Sequence, residues 1–321
     1  MTKILKSLFI LYFCLLMACD RNDTNFRMVT AENYFLAQEM NGEKHIISFS
    51  KDKINPNWAS TEVGKIGDIC GENNAYWVSD ISDNRVIGTF YGKNSRDIKG
   101  YPTENVIPHI LGVGDKYVLV GDSVNNKLLF MNKKNGKVEA IKTISKKPSH
   151  ILYKFEKFYV AEENEIEVYD EQAIALRNTI IFRHNITHLQ ATPVAIFVNS
   201  VGNDTLFEAN INIFENAIRT NLRKTYQQIT YSPYNRVVFG TETEGNCILN
   251  KGKLILNNVP LFAQRDSISH LEMDFFQSNA FFQANNNFYQ QNINDSIPSL
   301  YTPFTGKILK AVYRQDYFSE Q

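Results

Sequence analysis

Tyr117-Val118-Leu119-Val120-Gly121-Asp122-Ser123-Val124-Asn125-Asn126-Lys127-Leu128 is the stretch that decides how this chain is read. Four apolar residues run without interruption into a Gly-Asp-Ser-Val-Asn-Asn turn, and a second apolar strand opens after Lys127. Aromatic and β-branched residues of this kind are the ones that strands prefer. Asp and Asn suit the turn because their side chains bond the nearby backbone and tolerate left-handed torsions. Asn135-Gly136 repeats the signal ahead of Lys137-Val138, so three strands follow one another with hairpin connections.

The same pattern recurs on both sides of this stretch. The apolar starts Ile69, Ile110, Ile151, Leu189, Ile229 and Leu271 are spaced 41, 41, 38, 40 and 42. Counting back another 41 from Ile69 reaches Met28, which gives seven starts. Behind each start lies a strongly apolar second strand: Tyr34–Ala37, Tyr76–Val78, Tyr117–Val120, Phe158–Val160, Ile196–Val198, Val237–Phe239 and Phe281-Phe282. Third strands alternate, as in Glu165-Ile166-Glu167-Val168-Tyr169-Asp170. A period near 40 built from short strands predicts an all-β, seven-bladed β-propeller of four-stranded antiparallel blades. Lys307-Ile308-Leu309-Lys310-Ala311-Val312 reads as an additional strand, expected to pair with the N-terminal blade around Tyr34–Phe49 and cover an open sheet edge, the alternative being a loose tail.

The best blades resemble the YVTN family of propeller repeats. In that family Tyr-Val-Thr-Asn leads to an Asn or Asp, an apolar strand and then Gly-Lys-Val. Tyr117–Leu128 with Asn135-Gly136-Lys137-Val138 follows this order, as does Tyr76-Trp77-Val78-Ser79-Asp80 with Asp83-Asn84-Arg85-Val86. The fourth repeat keeps the pattern with Pro148 ahead of it, and the last three keep only their strands. The resemblance implies a fold and no activity, because propellers host many unrelated functions.

The N-terminus sets an expected address. Lys3 and Lys6 flank an apolar run from Leu8 to Ala18, too short for a permanent membrane helix. Leu16-Met17-Ala18-Cys19 resembles the bacterial lipobox, which implies cleavage before Cys19 and lipidation of its sulfur. An ordinary secretory signal whose cleavage site precedes a Cys is the alternative. The expected organisation is therefore a signal peptide over 1–18, a lipidated Cys and polar tether over 19–26, and the propeller over 27–321. The implied location is the cell envelope of a Gram-negative bacterium, on the outer membrane in preference to the inner, with the lipid at Cys19 as the membrane contact.

Composition narrows the partners. Loss of Lys3 and Lys6 leaves 32 basic residues against 34 acidic, a net charge of about −2. No basic stripe offers itself to nucleic acid. Cys70 and Cys247 would be the cysteines left beyond Cys19, in separate repeats and expected unbonded, with no CxxC spacing. The sequence calls for no cofactor and assigns no metal.

Candidate functional residues fall at two phases of the repeat. His109, His150, His188 and His270 immediately precede the first apolar residue of their repeats, and Asp68 and Gln228 fill that phase elsewhere. First strands line the central channel of a propeller, so these side chains would gather near one mouth. Imidazole nitrogens there can hydrogen-bond a polar ligand or ligate a transition metal. Alternatively, each ties its own blade to neighbouring backbone. The second phase is the turn after the second strand, with Asp80, Asp122, Glu162, Asn199 and Asn285. These residues either add to a polar binding face or serve as ordinary turn formers.

No nucleophile elbow, zinc-protease helix or phosphate-binding glycine loop is present. The first reading is a membrane-anchored, non-enzymatic binding module whose channel mouth takes a small ligand or an envelope partner such as a transporter. The second is a scaffold of an envelope complex. The third is a lyase or hydrolase at the mouth, which would require several His and an acid to converge on one point.

Overall fold

The computed structural model describes residues 31–40, 43–50, 53–54, 63–72, 75–91, 96–191, 195–202, 205–212, 217–219, 225–226, 236–239, 246–250, 253–256, 259–260, 269–274, 279–284, 287–292, 299–303 and 307–316. Cys19, the tether, Met28, Gln228, Ile229 and Asn285 lie outside these residues. Among the described residues no helix is long and apolar enough to cross a membrane.

The described residues are all-β, in six four-stranded antiparallel sheets and one of five strands. The first contains β1 (Ala31–Met40), β2 (Glu43–Ser50) and β3 (Lys53–Ile54). The second runs β4 (Ile66–Glu72), β5 (Ala75–Asp80), β6 (Arg85–Tyr91) and β7 (Arg96–Pro102). The third runs β8 (Ile110–Val113), β9 (Tyr117–Asp122), β10 (Lys127–Asn132) and β11 (Val138–Thr143). The fourth runs β12 (Pro148–Lys154), β13 (Lys157–Glu162), β14 (Glu165–Asp170) and β15 (Ala175–Ile181). Next come β16 (Asn185–Ala191), β17 (Ala195–Gly202), β18 (Thr205–Asn212) and β19 (Ala217–Arg219), with β20 (Thr225–Tyr226) also pairing β18. Two further sheets hold β21 (Arg236–Phe239), β22 (Asn246–Asn250), β23 (Lys253–Leu256) and β24 (Val259–Pro260), then β25 (Ser269–Asp274), β26 (Asn279–Ala284), β27 (Asn287–Asn292) and β28 (Ser299–Pro303).

The last strand, β29 (Lys307–Asp316), pairs with β1 and so takes the place in the first sheet that β4 holds in the second. This is the pairing expected from the sequence, with one difference of role. Met28 was expected to open the first sheet, whereas β29 heads its strand order. A second difference concerns Val237–Phe239, read as a second strand, which lies in β21 at the head of its sheet.

Consecutive strands need only short turns, and the turn chemistry is what the sequence indicated. Asn84 and Asn126 adopt positive φ of 48° and 51° in the second hairpins of their sheets. Each then accepts a backbone bond from the end of the sheet, from Thr103 and Ile144 respectively, both at 2.9 Å. Gly136 at φ 69° makes the turn into β11, and a Cβ there would lie 1.9 Å from the Tyr101 ring.

The second to fifth sheets stack face to face, which explains the unbroken apolar second strands of the third and fourth. One face of the third sheet presents Val118, Val120, Leu129 and Met131 to Trp77, Val86 and Tyr101 of the second. Its other face presents Tyr117, Leu119, Leu128 and Phe130 to Phe158, Val160 and Tyr169 of the fourth. The fourth sheet then packs Tyr159, Ala161, Ile166 and Val168 against Ile186, Leu189, Ile196 and Val198 of the fifth. β5 and β9 are buried at every position, and in β9 each face meets a neighbouring sheet. Gly112 allows this approach: a Cβ there would stand 2.2 Å from Ile151 Cγ2 of the next sheet.

Candidate functional site

The first strands carry the histidine phase, and the structure divides its members. Asp68 in β4 is buried and its carboxylate is spent on backbone. Oδ1 accepts from the Ile69 N–H at 2.8 Å, and Oδ2 accepts from Leu111 N–H at 3.0 Å in the neighbouring third sheet. Cys70, a free thiol, donates to the Leu111 carbonyl at 3.1 Å beside it. Asp68 is therefore a tie between sheets.

His109 precedes β8, one quarter exposed, and its Nδ1 accepts from the Ser123 N–H at 3.3 Å. That bond requires a lone pair on Nδ1, so the neutral ring carries its proton on Nε2. Asp122 Oδ1 lies 3.7 Å from the same nitrogen, poised for an ion pair when the ring is protonated.

His150 in β12 and His188 in β16 come together across adjacent sheets. Their rings stand edge to face, centroids 5.9 Å apart and inclined at 81°. His150 is half-buried with Nδ1 3.1 Å from Ser149 Oγ, and His188 is buried. Of the histidine phase, this is the pair that the structure unites. His270 lies in β25, with its side chain outside the described set. Among the described residues no group of three or more His, Cys, Asp or Glu is placed to hold a metal ion.

The second phase forms a repeated clasp. Asp80, Asp122 and Glu162 each end a second strand, and each side chain is buried. Each reaches back to the amide that leads into its own first strand. Asp80 accepts from Gly64 N–H at 3.3 Å and Lys65 N–H at 3.2 Å. Asp122 accepts from Ile107 N–H at 2.9 Å, and Glu162 from Lys146 N–H at 3.2 Å. The remaining bonds close the following turn. Asp80 takes Ser82 N–H and both Nε and Nη2 of Arg85, whereas Asp122 takes Val124 N–H, Asn125 N–H and Asn125 Nδ2.

Burial alone would raise these two Asp carboxyls. For Asp80 the Lys65 and Gly64 amides with Arg85 outweigh it, and for Asp122 the Asn125 side chain with the Ile107, Asn125 and Val124 amides does. Both stay ionised below the ordinary carboxylate range. The expectation that Asp80 and Asp122 offer a polar face to a ligand meets a structural finding: their oxygens hold strand lead-ins and turns. Asn199 does not belong to this phase. It lies inside β17 opposite His188, at the position that Ser79 holds in the second sheet.

Two polar groupings escaped the sequence reading. Glu171, buried after β14, accepts from Lys116 N–H at 2.8 Å and Tyr117 N–H at 3.0 Å of the third sheet. Its other oxygen accepts from Tyr153 OH at 2.6 Å, which also lies 2.8 Å from Asp115 Oδ2. Burial, then the Glu171 and Asp115 carboxylates, push the Tyr153 phenol far above its usual value. The second grouping is Glu167 with Tyr169, whose hydroxyl donates to Glu167 at 2.5 Å, on the face of the fourth sheet that also carries Glu162. Its signal in the sequence was the alternation Glu165, Glu167, Tyr169, which sets two acids and a phenol on one face of a strand.

No known protein-family model matches the chain, and a search of curated proteins returns no match. Solved structures do. Hydrazine synthase of Kuenenia stuttgartiensis superposes with a TM-score of 0.54 at 13% identity, covering 69% of this chain and 74% of that one. Dihydro-heme d1 dehydrogenase NirN, in complex with DHE, gives 0.56 at 11% identity, covering 87% and 74%. Both contain β-propellers, so the likeness supports a propeller-like all-β fold and, at these identities, the fold alone.

Proposed function

We propose that this chain is an exported lipoprotein, anchored through Cys19, whose sheets close into a seven-bladed propeller of the YVTN-like type. Its role is non-enzymatic binding of a small polar ligand, or of an envelope partner such as a transporter, at the heads of the first strands. The observation that carries the binding reading is the apposition of His150 and His188 at 5.9 Å. Asp68, Asp80 and Asp122 hold backbone amides, whereas the two imidazoles meet each other across adjacent sheets. The sheet orders support the ring: β29 in the first sheet would join the two ends of the chain and cover the edge of β1. Leu16-Met17-Ala18-Cys19 supports the anchor, and the outer membrane of a Gram-negative envelope is the proposed location. No cofactor is part of this reading.

The test uses the full chain purified in detergent. Thermal unfolding is followed against transition-metal ions, corrinoids, oligosaccharides and tetrapyrroles, the last because NirN is solved with DHE. A ligand at 100 times its Kd stabilises the fold by about 2.7 kcal/mol. The binding reading expects such a shift in the native chain and its loss in both His150→Ala and His188→Ala. A native chain that no compound shifts, with variants that merely melt earlier, overturns it. For the anchor, labelled fatty acid should enter the native chain and not Cys19→Ala.

One observation favours the envelope-scaffold reading as the second choice. The fourth strands β7, β11 and β15 expose large aliphatics: Ile98, Ile141, Leu176 and Ile181. Copurification of a stable protein partner, lost when these residues become polar, would select it.

A further inference from the structure

Glu162 departs from the clasp to which it belongs. Asp80 and Asp122 have several donors each, but Glu162 has the Lys146 amide on Oε2, and its Oε1 is buried with no donor. The strand register explains the difference. Arg85 stands opposite Asp80 in the second sheet, whereas Glu165 stands opposite Glu162 in the fourth. Val160 pairs with Glu167 and Phe158 with Tyr169, so Glu162, Glu165, Glu167 and Tyr169 share one face. That face packs on Leu128, Phe130 and Ile144 of the third sheet, all apolar. The nearby cation, Lys146, directs its ammonium to Glu165 at 3.3 Å and to Asn164 Oδ1 at 2.9 Å. Tyr169 donates to Glu167, and Ser145 Oγ lies 3.3 Å from Glu165. Two adjoining carboxyls on a buried face cannot both hold a negative charge cheaply, and a proton between them supplies the missing donor.

We propose that Glu162 and Glu167 share one proton, and that this proton latches the segment 145–147 leading into β12, making it an alkaline-released switch. With the proton bound, the Glu162 hydroxyl donates to Glu167, Glu167 accepts from Tyr169, and the second Glu162 oxygen keeps Lys146 N–H. Loss of the proton to solvent leaves two carboxylates facing each other. The yielding side is the lead-in, where Ser145 and Lys147 are exposed, rather than the packed strands β13 and β14. The segment continues directly into β12, which carries His150, so release also loosens one half of the imidazole pair. Burial, then the Glu167 charge, push the Glu162 carboxyl up to about 8, which sets the range of the switch.

The test needs no ligand, so its failure is separable from that of the binding reading. The unfolding midpoint of the full chain in detergent is compared with that of Glu162→Gln from about 4.5 to beyond about 8. A carboxyl whose value is raised on folding stabilises most below its unfolded value and loses that contribution as pH climbs through the folded one. The native midpoint should therefore fall relative to Glu162→Gln across this window and stop falling above it. Gln keeps the Lys146 bond and donates to Glu167, so the variant should be the more stable on the alkaline side. Infrared difference spectra of the native chain should show a protonated carboxylic acid at neutral pH that titrates away near 8. Over the same range, amide exchange at Lys146 should accelerate. Parallel pH profiles of the two chains overturn the switch. If the variant fails to fold, absence of the acid band from the native chain overturns it alone.

Discussion

The carboxylate of Asp68 accepts the Leu111 N–H at 3.0 Å, a side chain of one sheet capping the first strand of the next. Asp68→Ala would leave that buried amide without its acceptor, a loss worth about 1–3 kcal/mol. Asp68→Asn keeps a carbonyl oxygen and should cost less. Urea unfolding gives the magnitude. Exchange at the Leu111 amide should speed up in the Ala variant ahead of the amides in β13 if the tie is local.

Asp122 and Asp80 set the acid limit of the fold. Both carboxyls lie below their ordinary value of 3.8 in the folded chain. A depressed value contributes stability that is present above the unfolded value and lost as pH falls through the folded one. The native chain should thus weaken below about 3.8. Asp122→Asn should be less stable by about 1–3 kcal/mol at neutral pH. Its curve should converge toward the native one in acid, measured by denaturant midpoints across the range.

Gly112→Ala should destabilise by about 1–3 kcal/mol through overpacking, because its Cβ would meet Ile151 Cγ2 at 2.2 Å. Ile151→Ala alone leaves a cavity and costs about 2–5 kcal/mol. The double variant should cost less than the sum, since removing Cγ2 relieves the collision. Additive penalties in a double-mutant cycle would contradict this account of how the sheets approach each other.

Tyr153→Phe should cost about 1–3 kcal/mol, since the lost hydroxyl donates to buried Glu171 at 2.6 Å, with exposed Asp115 at 2.8 Å. Glu171 also caps Lys116 and Tyr117. Glu171→Gln should therefore be milder than Glu171→Ala, as thermal unfolding of the three variants would show.

What the sequence revealed follows the physics of each signal. Tyr117–Asp122 and Asn135-Gly136 were legible because a doubly covered strand and a left-handed turn each restrict composition at the residues that form them. The pairing of Lys307–Val312 with the N-terminal sheet was legible as a leftover strand beyond the last repeat. The fate of Asp80 and Asp122 was harder to read. Their position was plain, but a carboxylate facing solvent and one capping an amide about 15 residues earlier use the same letter. Histidine phase was visible, yet whether two rings meet depends on how neighbouring sheets pack, which single-strand spacing does not encode. The diagonal placement of Glu162 and Glu167 was hidden for a related reason: it crosses two strands and appears only once the register is fixed.

The double-sided burial of the sheets has a consequence for biogenesis. Phe158 and Val160 lean on the preceding sheet, and Tyr159 and Ala161 on the following one. As a ribosome delivers the chain from its N-terminus, the newest sheet has one oily face docked and the other bare. It waits for the next forty or so residues to cover it. Truncations ending between the second and fifth sheets should therefore be sticky and protease-sensitive in proportion to the face left naked.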